Sequence, residues 1–267
     1  MGVDTKSLRL RIHSVDSMLH LTKAMGLVAS SKFRYANRAM ANGRQYVTAV
    51  RNMINALTVS PECSRSPYMR EASGERTRLI VIAGDRGLCG GYNSNVFRLT
   101  AQYPGAEIIP IGKRAFDRFG GAFLPSEGFD RMDGYAIADR MCNDFADGAF
   151  DRLGIVFSRY VSMLTQEACV EWLLPLQKNE QKVQSGVIFE PNENEILNYA
   201  VREYVGGMIT ALVHESFACE VAARRMAMDS AGKNAQEMIS DLQLQYNRAR
   251  QGAITQEITE IVAGSGG

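Results

Sequence analysis

Asp85-Arg-Gly-Leu-Cys-Gly-Gly-Tyr-Asn93 is the segment of this chain whose composition comes nearest to a ligand-binding loop. It follows an apolar run and opens a helical pattern, which is where a phosphate-cradling turn sits in a nucleotide-binding fold. It matches neither G-x-G-x-x-G nor G-x-x-x-x-G-K-[ST], and no lysine is placed to reach a phosphate. The glycines serve equally well for a tight turn and close helix–strand packing. Asp85, Asp117, Asp139 and Asp144 supply carboxylates, but their spacing does not put two around one substrate. His214, Glu215 and Ser216 are adjacent in a helical stretch, so their side chains diverge and cannot form a relay. Cys63, Cys89, Cys142, Cys169 and Cys219 lack C-x-x-C spacing and read as free thiols. His13, His20 and His214 lack metal-ligand spacing. Catalysis, cofactor binding and metal binding by this chain are not expected.

The elements that hold these residues are set by proline. All seven prolines (61, 67, 104, 110, 125, 175 and 191) fall in the middle of the 267 residues. Both ends lack the residue that stops a helix at a cost of about 3 kcal/mol. Positions 8, 12, 15, 19, 22, 26, 29, 33, 36, 40, 43, 47, 50, 54 and 57, spaced alternately by four and three, are apolar apart from Thr22, Gly26 and Gly43. That is the seam of a left-handed coiled coil, with small residues where another backbone can approach. Met18, Leu21, Met25 and Val28 form a second, partial apolar face. The last segment opens at Pro191-Asn192, with Asn192 as N-cap and Glu195 placed for a capping box. Helices over 5–57 and 193–262 would be about 80 and 105 Å long, too long for one globule, so the pair is expected to stand out as a rod. Gly206-Gly207, Gly232 and Gly252 are expected to be bends or close-packing points.

Residues 1–57 carry nine Lys/Arg against two Asp/Glu, and residues 192–267 six against ten. A basic helix beside an acidic one suits an antiparallel pair, and the excess on the first helix suits acidic partners. Interleaved aromatics are sparse, which disfavours nucleic acid. No run of eighteen apolar residues spans a membrane, and Met1–Lys6 lacks the apolar core of a signal peptide. The uncharged end, Ile261–Gly267, reads either as a frayed tail or as a smooth tip. Between the helices, strands are expected at 78–83, 108–111, 153–161 and about 167–174. Helices are expected at 92–103, 113–119 and 135–147. This is a small α/β domain with a largely parallel sheet. The expected division is a helix over 1–57, a central α/β domain with linker over 58–191, and a helix over 192–267.

These residues carry a resemblance to the gamma subunits of rotary ATP synthases. It lies in Leu21-Thr-Lys-Ala-Met25, Ser31-Lys32-Phe-Arg34 and the Asp85–Asn93 loop. It continues in Glu215-Ser-Phe-Ala218, Ala222-Ala-Arg224, Asn234-Ala235, Leu244-Gln-Tyr-Asn-Arg248, Arg250-Gln251 and Ile254-Thr-Gln-Glu257, then Glu260 and Gly264. Gly26, Gly252, Arg225-Met226-Ala and the Gly264-Ser-Gly-Gly267 end depart from the family pattern. The resemblance implies an antiparallel coiled coil joined to a central Rossmann-like α/β domain. It implies a shaft inside a ring of alpha and beta subunits, footed with the epsilon subunit on a membrane-embedded c ring at the cytoplasmic face. By the same resemblance Lys23 and Met25 face the beta subunits. Arg250 and Gln251 form a polar catch with Gln256 and Glu257 beside it, and Arg86 approaches the lower rim of the ring. Two other readings stand beside it: a coiled-coil tether with a partner-binding domain, and an enzyme using the α/β domain on a nucleotide or phosphate.

Overall fold

The computed structural model describes residues 5–70, 74, 76–178 and 192–265. Met1–Asp4, Pro191 and Gly266-Gly267, on which some of the expectations above rest, lie outside the described residues. The first helix, α1, occupies Thr5–Leu57, and the last, α5, occupies Glu193–Ser265. By internal contacts the chain divides into one unit of residues 1–29 with 225–267 and another of residues 30–224.

In the unit of residues 30–224, strands β1 (Thr77–Ile82), β2 (Glu107–Ile111), β3 (Arg152–Tyr160) and β4 (Gln166–Leu174) form one sheet in the order β2-β1-β3-β4. β1 runs parallel to both β2 and β3, and β4 returns antiparallel as an edge strand. Helices α2 (Tyr92–Thr100), α3 (Lys113–Phe119) and α4 (Arg131–Ala146) fill the connections. The strands alternate because successive side chains leave opposite faces of a sheet. Leu79, Val81 and Ala83 pack with Val96 of α2 and Ala115 of α3. Ile80 and Ile82 turn the other way, into the main core with Met141 and Phe145 of α4, Val50, Ile54 and Leu57 of α1, and Leu197–Val213 of α5. Helices on both faces bury both sides of the sheet, which explains why β1 reads as an unbroken apolar run.

α4 begins at Arg131, four residues earlier than expected, because Asp130 and Asp133 form a reciprocal capping box in a polar stretch that has no apolar period. The linker after α1 holds two short 3₁₀ turns, Glu62–Arg65 and Pro67–Met69, which proline content alone does not reveal. At the start of α5 the Glu195 N–H donates to the Asn192 side chain at 2.8 Å. The return bond runs from the Asn192 amide to the Glu195 carboxylate at 2.9 Å, a side-chain variant of the expected box.

Every one of the fifteen seam positions of α1 is buried or half-buried. In the same unit, a Cβ on Gly43 would lie 3.2 Å from the Ala211 Cβ, so α1 and α5 touch backbone to backbone here. Gly207 admits the Tyr46 ring and Gly206 the Tyr135 ring; both are close-packing points within the helix.

In the unit of residues 1–29 with 225–267, Leu8, Val15 and Leu19 pack against Ala235, Ile239 and Leu242, with Ile12, Tyr246 and Ala249 alongside. Gly232 lies against Thr22 and Leu19, while Gly252 has open space around it. α5 stays helical to Ser265, so the uncharged residues Ile261–Ser265 continue the helix.

Candidate partner interface

In the terminal unit, the small seam residues fix how the helices meet. A Cβ on Gly26 would sit 3.8 Å from Met228, and one on Gly232 would sit 3.6 Å from the Thr22 Oγ1. One chain number falls as the other rises, so the pair is antiparallel. Continued to its end, this register brings Thr5 level with about Ala249. From Arg250 to Gly264 α5 therefore has no described α1 residue beside it, and every residue of that stretch is exposed. Ile254, Ile258, Ile261 and Val262 are 48%, 56%, 64% and 65% exposed and fall on one helical stripe. Gln256 donates to Glu260 at 2.9 Å within the same helix. Arg250, Gln251 and Glu257 present polar groups around that stripe.

Lys23 is exposed and Met25 half-buried. Met18, Leu21 and Val28, on the second apolar face, are 59%, 60% and 58% exposed. By the register Lys23 is level with about residue 231, nineteen residues and about 28 Å along α5 from Arg250. The structure thus makes two separate patches of Lys23 with Met25 and of Arg250, Gln251, Gln256 and Glu257. Arg86 belongs to the other unit.

The loop that carries Arg86 leaves the carboxyl end of β1, where an α/β sheet of this topology keeps its ligand crevice. Here the chain's own carboxylate fills it. Asp85 accepts from the Lys113 N–H at 2.9 Å, from the Ser126 N–H at 2.9 Å and hydroxyl at 3.0 Å, and from the Glu127 N–H at 2.7 Å. These four donors are therefore taken up by Asp85. Gly112, at φ +91°, passes so close to the Ala83 carbonyl that a Cβ would overlap it. Glu127 then links two motifs, pairing with Lys32 of α1 through one oxygen and lying 3.6 Å from the Arg86 guanidinium through the other.

Leu88 has φ +60°, alone among the described non-glycine residues in being left-handed. For an L-residue with a side chain this costs about 1–2 kcal/mol. Both its neighbours are fixed. Arg224 of α5 donates from Nε and Nη2 to the Gly87 carbonyl, each at 3.2 Å. Cys89 is buried beside Tyr92 and Cys219 and accepts from Asn93 at 3.2 Å. The Tyr92 hydroxyl donates to the Ser216 carbonyl at 3.1 Å. Arg224 is itself held by Glu220, four residues earlier; their side chains are 12% and 2% exposed. Burial pushes the Glu220 carboxyl above its usual range against the opposing pull of Arg224. The i,i+4 spacing of this pair was readable; its target, a carbonyl more than a hundred residues away, was not.

The other chemical candidates take structural roles. Glu215 accepts from Arg44 of α1 at 2.6 Å and from the Tyr160 N–H at 2.9 Å, bonding α1 and β3 to α5. Ser216 accepts from the Ser158 N–H at 3.1 Å, and the His214 Nε2 lies 3.1 Å from the Phe129 carbonyl. The three adjacent residues point to three different elements. Asp117 pairs with Lys113, Asp139 with Arg202 and Asp144 with Arg78. Cys63, Cys89, Cys142, Cys169 and Cys219 are free. Burial raises the Cys63 thiol to about 11 and the Cys142 thiol to about 12. Among the described residues, no helix is long and apolar enough to cross a membrane.

A model of the ATP synthase family matches residues 4–266. The chain is 38% identical over 278 aligned positions to the ATP synthase gamma chain of Ruminococcus albus, covering 97% of each. Among solved structures it resembles a chain of the Tetrahymena thermophila mitochondrial ATP synthase central stalk and c-ring, with TM-score 0.60 and 20% identity over 79% of this chain and 99% of that one. It also resembles a chain of the Euglena gracilis mitochondrial ATP synthase rotor in rotational state 1, with TM-score 0.63 and 18% identity over 94% of this chain and 98% of that one. At these identities the structural likenesses speak to the fold.

Proposed function

The chain belongs to the ATP synthase gamma-chain family, and from that membership and its geometry we propose that it is the central rotor shaft of a rotary ATP synthase. It couples ion-driven rotation of a c ring to conformational change at the nucleotide sites of the beta subunits. The carrying observation is the free end of α5. Arg250–Gly264 is exposed on every side and bears an apolar stripe, a surface that a stable protein leaves open only where something else covers it. A surrounding ring of alpha and beta subunits provides that cover. The second apolar face of α1, at Met18, Leu21 and Val28, is a second contact with that ring.

Within this reading Lys23 and Met25 face the beta subunits. Arg250 and Gln251 form the polar catch, with Gln256 and Glu257 beside it, and Arg86 meets the lower rim. The chain itself does no chemistry. Support for that comes from Asp85, which takes up the Lys113, Ser126 and Glu127 N–H groups at the carboxyl end of β1. The α/β domain of residues 58–191, with the epsilon subunit, forms the foot on the c ring, at the cytoplasmic face of the membrane. Different contacts in each rotary state bias the three beta subunits differently, which is how torque becomes a change in nucleotide affinity.

The direct test is ATP hydrolysis by alpha and beta subunits reconstituted with this chain, while a bead attached to the α/β domain is tracked. Stepwise rotation in one direction with three main dwells supports the rotor. Hydrolysis by a stable complex without rotation leaves only a scaffold.

A further inference from the structure

Four glycines crowd one junction of α1, α4 and α5, within the unit of residues 30–224. Gly134 leaves room for Thr210, Gly206 for the Tyr135 ring and Gly207 for the Tyr46 ring, while Gly43 lies against Ala211. The helices close in, and two tyrosine rings rest against the α5 backbone. The small surface of Ala39, Gly43 and Ala211 stays recessed beside them. A groove with a volume of about 350 Å³ remains between the three helices. That falls within the range of small-molecule sites, roughly 300–1,000 Å³.

The two ends of the groove carry its polar groups. Tyr46 is opposite Gly207 and Gly43 opposite Ala211, so Ala39 is level with about residue 215, at the His214 end. From Tyr46 to Ala39 the groove follows α1 for about 10 Å. At the tyrosine end, the Tyr135 hydroxyl donates to Glu203 and accepts from Arg131 at 3.1 Å. It lies 3.2 Å from the Tyr46 hydroxyl. Since Tyr135 has committed its proton to Glu203, Tyr46 donates between the two and its own oxygen is left to accept. Arg131 also pairs with Glu203 at 3.3 Å, so the charges here cancel. At the other end the His214 Nε2 lies 3.1 Å from the Phe129 carbonyl. A carbonyl only accepts, so Nε2 carries the proton and Nδ1 of the neutral ring is an acceptor. No hydrogen bond from a described residue reaches Nδ1 or the Tyr46 oxygen.

We propose that this groove binds a flat, uncharged aromatic molecule with a hydroxyl at each end, the two about 10 Å apart. Its rings lie on the floor of Ala39, Gly43 and Ala211, against Tyr46 and Tyr135. One hydroxyl donates to the Tyr46 oxygen and the other to His214 Nδ1. An anion gains little, because Glu203 already takes up the Arg131 charge. The chain's own three helices build this site, so it does not depend on the rotor reading.

The test titrates para,para′-dihydroxybiphenyl into the full chain by calorimetry, and measures the melting temperature of each protein without ligand. Wild type is expected to bind saturably with Kd on the order of 100 µM, ordinary for a ligand of this size. Ala39→Leu fills the floor and is expected to bind about tenfold more weakly at an unchanged melting temperature. Tyr46→Phe keeps the ring, removes the acceptor and is expected to bind about fivefold more weakly. If Ala39→Leu melts lower than wild type, Tyr46→Phe decides. The corresponding biphenyl dicarboxylate is expected to bind wild type at least about tenfold more weakly than the diol. Absence of saturation up to about 1 mM overturns the proposal. So does wild-type affinity in Tyr46→Phe, or in a normally melting Ala39→Leu, because the diol then sits elsewhere. Equal affinity for the dicarboxylate overturns the assignment to an uncharged ligand.

Discussion

The Asp85 carboxylate holds Ser126 by both of its donors, the backbone N–H at 2.9 Å and the hydroxyl at 3.0 Å, across forty-one residues of sequence. With Lys113 and Glu127 it joins the end of β1, the start of α3 and the approach to α4. Bonds to a charged acceptor contribute about 1.5–3 kcal/mol each and act as a set. Asp85→Ala should therefore lower unfolding stability by about 3 kcal/mol in urea titration. Asp85→Asn, which can still accept but carries no charge, should cost less than Asp85→Ala. A loss under about 0.5 kcal/mol for Asp85→Ala would mean that the cage contributes little.

Glycines in the long helices should divide by what surrounds them. Gly207→Ala forces a methyl into the Tyr46 ring and should destabilise by about 1–3 kcal/mol. Gly252→Ala meets open space on an exposed helix and should gain up to about 1 kcal/mol of local helix stability. Amide hydrogen exchange around residues 248–256 reads the second change directly. Slower exchange is expected there, and unchanged exchange would count against an intact helix at that end.

The α1 seam was legible because fifteen positions at a 3.5-residue period, uninterrupted by proline, admit one reading, and all fifteen are covered. The sheet was legible for a similar reason, since apolar runs bounded by turns can be assigned without tertiary knowledge. What escaped was of another kind. Asp85 was visible as a carboxylate, but its donors lie 28 to 42 residues away and nothing local names them. Gly206 and Gly207 looked the same as Gly252, and only the neighbouring Tyr46 and Tyr135 distinguish them. Leu88 stands among glycines, and its left-handed backbone angle has no signature in composition.

Met25→Lys should impair coupling more than assembly. Met25 is half-buried among exposed apolar neighbours, so a cation placed there is available to a carboxylate on a surrounding subunit. An ion pair formed in one rotary state and broken in the next adds a barrier to rotation without removing the shaft. In membrane vesicles, ions pumped per ATP hydrolysed should fall while the amount of assembled complex stays near wild type. Equal pumping per ATP in mutant and wild type would contradict the placement of Met25 at the ring.

Glu220 makes stability depend on pH in an unusual direction. Its carboxyl is raised by burial, with Arg224 opposing and Asp85 adding to the rise. The folded state therefore holds this proton more tightly than the unfolded state. The group's contribution is full below the unfolded value, about 4.3, and is lost as pH rises through the raised folded value. Arg224→Ala leaves the buried carboxylate without its cation and should cost about 3–5 kcal/mol at neutral pH, with a smaller loss in mild acid. Adding Glu220→Gln to Arg224→Ala removes the charge that is stranded. The double variant should recover much of the stability at neutral pH and lose the steepened pH slope. Urea midpoints for the four proteins between pH 5 and 8 measure this coupling, and additive losses would show that Glu220 and Arg224 do not act as a pair.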